Sequence, residues 1–402
     1  MSNKAQILTI IFGLSLVFIT SCNRDSEGCT DSLATNYDTN ADDDDGSCEY
    51  DIITPDEYVY EDADGNSTVS YSGQHIRLNM LSEMVTVMKT ANTEGTVVDG
   101  NTLISMYGHD GYTWDDVENL DMNSPDNTKQ LRNKTAGGDP TIIAQFETWM
   151  TELGDASTLT SSQTGSAGVA GVVVSTSNPS KQYLQNAEGQ EWTQLIEKGL
   201  MGACFYYNIS SVYLAPAKMD VDNSEAVDPA NGKYYTTMEH HWDEAYGYFT
   251  TAPDYPVNGT DRFWGKYADG REDPLGSATK IVEAFRLGRA AISADIMAVR
   301  DQQITIINQE MEKMAGGTAI HYLNDAIDSF GDDALRNHTL SEAKAFIMAL
   351  PYGAETSVDF NKSEEILALL GEDYYNVTTA NILAARDELA TILGLTQYAD
   401  EL

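Results

Sequence analysis

Residues 192–207 read WTQLIEKGLMGACFYY, and the spacing within them decides the fold class. Trp192, Leu195, Ile196, Gly199, Ala203 and Tyr206 recur at three- and four-residue intervals, the period that lines one face of an α-helix. Gly199 and Gly202 on that helix predict the close approach of a neighbouring helix. The same period runs through Leu78, Leu81, Met84, Val85 and Met88, and further stripes occupy 234–249, 281–297, 304–323, 340–350, 366–370 and 380–393. No alternating β-rich series competes with them. The Ser-, Thr- and Gly-rich stretch 158–181 reads as a long connection with a short strand at 169–174. The expected fold is therefore all-α, with residues 71–402 packed as two adjoining helix bundles.

Charge narrows the function classes. The 402 residues hold 63 Asp and Glu against 23 Lys and Arg, a formal net charge of -40. A polyphosphate partner needs a basic footprint, so nucleic acid is excluded as a partner. With 42% apolar residues the chain still has ample material for a core. The acids are concentrated: 15 carboxylates lie between Asp25 and Asp64, and after Arg24 no Lys or Arg occurs before Arg77.

The N-terminus points to a compartment. Lys4 precedes a mainly apolar run from Ile7 to Ile19, the length of a signal-peptide core and short of the roughly 20 residues that span a bilayer. It ends in Ile19-Thr20-Ser21-Cys22, which resembles the lipobox of bacterial lipoproteins. That resemblance implies removal of residues 1–21, a lipid anchor on Cys22 as the contact with the membrane, and, with Asn23 following, residence at the outer membrane of the cell envelope. Residues 22–27 are then the tether, 28–50 a small module and 51–70 an acidic linker. With Cys22 acylated, Cys29 and Cys48 are the nearby pair for a disulfide, and Cys204, in the apolar run 200–207, reads as a small buried hydrophobe.

Residues 28–50, GCTDSLATNYDTNADDDDGSCEY, resemble the Cys-framed acidic modules of envelope lipoproteins and, more distantly, thrombospondin type 3 calcium repeats. Asp38, Asn40, Asp42 and Asp44 alternate ahead of Gly46 and offer the oxygen ligands that Ca²⁺ takes. The pattern departs from an EF-hand, with Asp43 where glycine is required, and from D-x-D-x-D-G, with Ala41 at the first acid. A calcium loop and a solvated acidic spacer both remain open readings.

Chemistry concentrates in 238–249, MEHHWDEAYGYF. On a helix His241 with Glu244, His240 with Glu244, and His240 with Asp243 stand three or four residues apart and share a face, and imidazole with carboxylate suits iron or zinc. This segment resembles the H-x-x-E of imelysin-like envelope proteins. Through QLIEKGLMGACFYY, HHWDEAYGYF, RFWGKY, LGRAAIS and LGEDYYNVT, nearly all of 71–402 resembles the family called domain of unknown function 4856. The resemblance implies an imelysin-type helical fold and a place among surface lipoproteins associated with iron acquisition, with an outer-membrane transporter as the kind of partner. The glycine that stands two before the imelysin histidine is missing: Glu239 precedes His241 and Met238 precedes His240 at that distance. His241 shares a stripe with Met238, Ala245 and Phe249 and points inward, where it equally fits a core histidine bonded to a carboxylate or carbonyl. His240 lies nearer the polar face.

His338 and Glu342, at i and i+4, form a second donor pair. Thr339-Leu340-Ser341-Glu342 also reads as a capping box, which assigns Glu342 to a helix start and leaves His338 as a minor metal candidate. In the loop 262–273, Arg262, Lys266 and Arg271 are expected to pair with local acids rather than bind an anion. His75, His109 and His321 are read as ordinary residues. A metallopeptidase is disfavoured, since no H-E-x-x-H occurs and Ala245 follows Glu244 where H-x-x-E-H requires histidine. The expected function is binding of a metal ion or metal complex, with calcium-dependent adhesion as the alternative.

Overall fold

The acidic leader is organised around the Cys29–Cys48 disulfide. A computed structural model describes residues 26–45, 47–117, 119–256 and 261–402; Cys22, the lipobox and the signal lie outside them. Two short parallel strands, β1 (Glu27–Gly28) and β2 (Asp43–Asp44), pair within the leader. Asn36 clamps the loop by donating to Ser47 O (2.6 Å) while its Oδ1 accepts from Glu49 N (2.8 Å), and Asp31 accepts from Tyr50 Oη (2.6 Å). Asp38 spends one oxygen on its own turn, accepting from the backbone and side chain of Asn40 (2.9 and 3.0 Å). Among the described residues no group of three or more His, Cys, Asp or Glu is placed to hold a metal ion, in the leader or elsewhere.

Residues 53–402 form a second compact unit. Its edge corrects the expected linker at 51–70. Tyr58 is buried, stacks on Tyr246 (centroids 3.6 Å apart) and donates to Asp243 Oδ1 (2.8 Å), while Tyr60 donates to Arg286 O (2.7 Å). Two tyrosines that bury this much aromatic surface make residues 58–60 part of the fold despite the acids around them.

The helices follow the stripes. In α1 (Ser72–Thr90) Leu78, Leu81, Met84, Val85 and Met88 are all buried. α2 (Gly100–Gly108) and α3 (Pro140–Leu159) are started by Asp99 and Asp139, whose carboxylates accept first-turn N–H groups. The expected strand at 169–174 is β3 (Gly171–Val174), and it has a partner the sequence did not announce, β4 (Gln182–Gln185), with Val172 opposite Leu184. α4 (Trp192–Leu200) runs into a π-helical segment, Met201–Tyr213. Here the glycines act as expected. A Cβ on Gly202 would lie 2.7 Å from the Cα of Ala349, and one on Gly199 would lie 2.9 Å from the Phe146 ring.

After the short α5 (Pro216–Met219), α6 (Thr237–Phe249) opens with a capping box between Thr236 and Glu239. α7 (Phe263–Gly270) and α8 (Glu272–Leu275) lead into three long helices, α9 (Ser277–Ser293), α10 (Met297–Asp328) and α11 (Asp333–Ala349). Their short connections fold each back on the last. α12 (Phe360–Leu370) and α13 (Thr379–Ile392) close the chain. Among the described residues the fold is all-α apart from two small sheets. The expected two bundles do not separate, because α10, about 48 Å long at 1.5 Å per residue, packs against α7, α9, α11 and α13 and ties them into one unit. α6 lies between α1, α9 and the π segment.

Candidate ligand site on the sixth helix

Met238, Trp242, Ala245, Tyr246 and Phe249 bury the core face of α6, and Trp242 fixes its rotation by donating to Phe285 O (3.0 Å). That rotation leaves Glu244 half-buried between α1 and the π segment. Its Oε1 accepts from Gln74 Nε2 (2.9 Å) and Tyr213 Oη (3.1 Å), and its Oε2 lies 3.3 Å from His241 Nδ1 and 3.9 Å from His240 Nε2. Burial alone raises the pKa of this carboxyl, but the hydrogen bond from His241, the nearby His240, and the donors on Gln74 and Tyr213 outweigh it and bring it down to about 2. Glu244 is therefore an ionised carboxylate.

The histidine tautomers follow from their partners. His240 Nδ1 lies 3.0 Å from Ser70 O; a carbonyl only accepts, so Nδ1 carries the proton. Burial lowers the His240 pKa against the pull of Glu244, so the ring is neutral and Nε2 keeps its lone pair. His241 Nδ1 likewise donates to the Glu244 carboxylate. An imidazole anchored through one nitrogen to a carbonyl or carboxylate is the support that metal-ligating histidines have. His240 also stacks on Tyr235, centroids 4.7 Å apart.

His240 and Glu244 open on a cavity of about 280 Å³, which Gln74, Arg77, Lys129, Lys134 and Tyr213 also line. His241 does not reach it and stands behind Glu244, so the predicted pair is rearranged: His240 faces the cavity and His241 positions the carboxylate. His240 Nε2 and Glu244 Oε2, 3.9 Å apart, lie within the roughly 4.3 Å span of two ligands on one ion with bonds of about 2.0–2.2 Å. They supply two donors, so the side chains fit a metal that brings ligands of its own better than a bare ion.

The other candidates are engaged elsewhere. Asp243 is fully buried and accepts from Arg289 Nε (3.0 Å), Tyr58 Oη (2.8 Å) and Ser70 N (2.9 Å). His338 lies between two carboxylates, its Nδ1 2.5 Å from Glu191 and its Nε2 3.4 Å from Glu342, with its ring stacked on Tyr183. The capping box proposed for Glu342 is corrected: α11 starts seven residues earlier with Asp332 as its cap, Thr339 bonds back to Leu335 O and Arg336 O, and Glu342 is buried beside Lys198 (3.7 Å). Arg262, Lys266 and Arg271 are also corrected. Among the described residues none of their charged groups has a carboxylate within 4.0 Å; Asp261 accepts from the Arg262 backbone N–H (2.7 Å), and the Arg262 guanidinium donates to Asn79 and Ser82 of α1. Cys204 is buried and free, as expected, and burial pushes its thiol up to about 12.

The residues missed from sequence are Gln74, Arg77, Lys129, Lys134 and Tyr213. One signal was present: Lys129, Arg132 and Lys134 put three cations in six residues of a strongly acidic chain.

Residues 55–390 match the model of a family described as Domain of unknown function (DUF4856). No curated protein and no solved structure is detectably similar to the chain.

Proposed function

We propose that this chain, which belongs to the DUF4856 family, is a binding protein of the cell envelope that captures a metal in complexed form. The observation that carries the reading is the arrangement on α6. His240 is anchored through Nδ1 and turns Nε2 toward the cavity, 3.9 Å from a carboxylate that His241, Gln74 and Tyr213 keep ionised. Nitrogen and oxygen donors in that combination suit iron or zinc. A peptidase reading lacks its usual ligand pattern, since no H-E-x-x-H occurs and Ala245 follows Glu244 where H-x-x-E-H requires histidine.

The lipobox-like Ile19-Thr20-Ser21-Cys22 supports lipid anchoring at Cys22 and, with it, capture at a membrane surface, from which iron acquisition through a membrane transporter would follow. The test is the metal content of the purified chain. Iron or zinc should be retained in stoichiometric amount and lost on His240→Ala and on Glu244→Gln. Stoichiometric metal unchanged by both substitutions would remove the site from α6. Mass spectrometry of the membrane-extracted protein should find the N-terminus at a diacylated Cys22.

A further inference from the structure

The same cavity has a second chemical character. Arg77, Lys129 and Lys134 converge on it, in a chain where acids outnumber bases 63 to 23. Among the described residues none of the three has a carboxylate within 4.0 Å. Arg77 is buried; its Nε donates to Gln130 O (2.9 Å) and its Nη1 to Gly73 O (3.2 Å), and no hydrogen bond from Nη2 occurs among the described residues. Lys134 donates to Tyr213 Oη (3.0 Å) and sits 5.2 Å from the centre of that ring. Burial, and then the neighbouring Arg77, hold the Lys134 ammonium below its ordinary pKa. Lys129 lays its stem along Gly73, and its ammonium has no protein acceptor among the described residues. The one carboxylate in the wall, Glu244, accepts from its own donors and attracts Lys134, so it offsets one of the three positive charges and leaves the cavity cationic.

Gathering three like charges around a concave, partly desolvated space is unfavourable unless an anion offsets it, and charge-assisted hydrogen bonds formed there are the strong kind. Arg77 alone could be structural, since it ties α1 to the segment that carries Gln130. Lys134 also reaches the π segment through Tyr213, but the Lys129 ammonium makes no such tie among the described residues. From this we infer that the cavity recognises a small polyanion bearing carboxylate or phosphate groups, and that a metal enters it as the anionic chelate of such a ligand. The metal half rests on the function proposed above, whereas the anion half stands on the cations alone. A bare divalent or trivalent ion would meet three positive charges and only two donor atoms.

The experiment is equilibrium dialysis of the full-length chain against labelled citrate and pyrophosphate, each with and without iron(III), with zinc chloride as the uncomplexed cation. The two anions distinguish carboxylate from phosphate as the preferred group. At least one anion or its iron complex should bind, and Lys129→Gln and Lys134→Gln should each weaken it about tenfold or more. Lys129 is partly exposed, and circular dichroism of its variant checks that the fold is kept. Anion binding that is absent, or that neither lysine affects, overturns the inference. Zinc retained alone and lost on His240→Ala, with no anion bound, would also overturn it while leaving the α6 metal site intact. Anion binding that depends on both lysines but is indifferent to iron and to His240→Ala would uphold the inference and remove the metal.

Discussion

Arg289 offers the most exacting test of how α6 is held. Its guanidinium is wholly buried and spends its donors on five acceptors: Asp243 Oδ1 (3.0 Å), Glu239 Oε1 (2.7 Å), Ser293 Oγ (2.6 Å), and Thr68 O and Oγ1 (3.1 and 3.0 Å). It also lies 4.8 Å from the Tyr60 ring. Arg289→Met keeps much of the aliphatic volume and removes the charge. Glu239 would retain Ser293 and its capping contact to Thr236, but Asp243 would keep only Tyr58 and Ser70, leaving a buried carboxylate without a counter-ion. Removing one partner of such a pair costs about 3–5 kcal/mol, which corresponds to a fall in Tm of about 4–7 °C for a unit of this size. Urea unfolding at neutral pH measures it. Adding Asp243→Asn to Arg289→Met should restore about 2 kcal/mol, since the stranded charge is gone and the pair is coupled. Hydrogen exchange should quicken at residues 58–68, which Arg289 fastens to α9. A single-variant loss under about 1 kcal/mol, or strictly additive losses in the double variant, would refute the claim that an ionised pair anchors this corner.

Three further outcomes are expected. Burial lowers the pKa of His338, but Glu191 and Glu342 outweigh it and raise it above 6.5; the stability this supplies is complete below pH 6.5 and is lost as pH rises through the folded value. The wild-type advantage over His338→Gln in urea should therefore shrink from pH 6 to pH 9, and a constant difference would contradict the pairing. Gly202→Ala should cost about 1–3 kcal/mol, because the new methyl meets backbone rather than a flexible chain end; an unchanged Tm would mean that the helices part without strain. Tyr58→Phe should cost about 1–2 kcal/mol, since its hydroxyl serves a buried carboxylate, and no measurable loss would return residues 58–60 to the status of linker.

The helical body was legible because its signal is local. The stripe on α1 and the close-packing glycines at 199 and 202 are readable at three- and four-residue spacing, and the buried faces fell where that spacing put them. The site was legible only along α6. His240, His241 and Glu244 share one helix, but their roles depend on Ser70, Gln74 and Tyr213, which are 31 to 170 residues away in sequence. No short-range pattern carries such a pairing. Thr339 and Glu342 misled for a related reason: a capping box and two mid-helix residues present the same four-residue spacing, and only Asp332 upstream decides between them. The acids of residues 51–70 concealed Tyr58 and Tyr60, whose partners lie on α6 and α9.

The cation-lined cavity also has a kinetic consequence. An anion approaching a chain of net charge -40 is repelled at long range and attracted only within the last few ångströms, where the field of Arg77, Lys129 and Lys134 takes over. Salt shortens the reach of both fields, but it removes the distant one first, because screening acts over about 10 Å at 0.1 M. Added salt should thus speed association, the reverse of ordinary electrostatic steering, while still weakening the bound state. The acidic exterior then works as a barrier without moving parts, slowing entry and exit alike for ligands of its own sign.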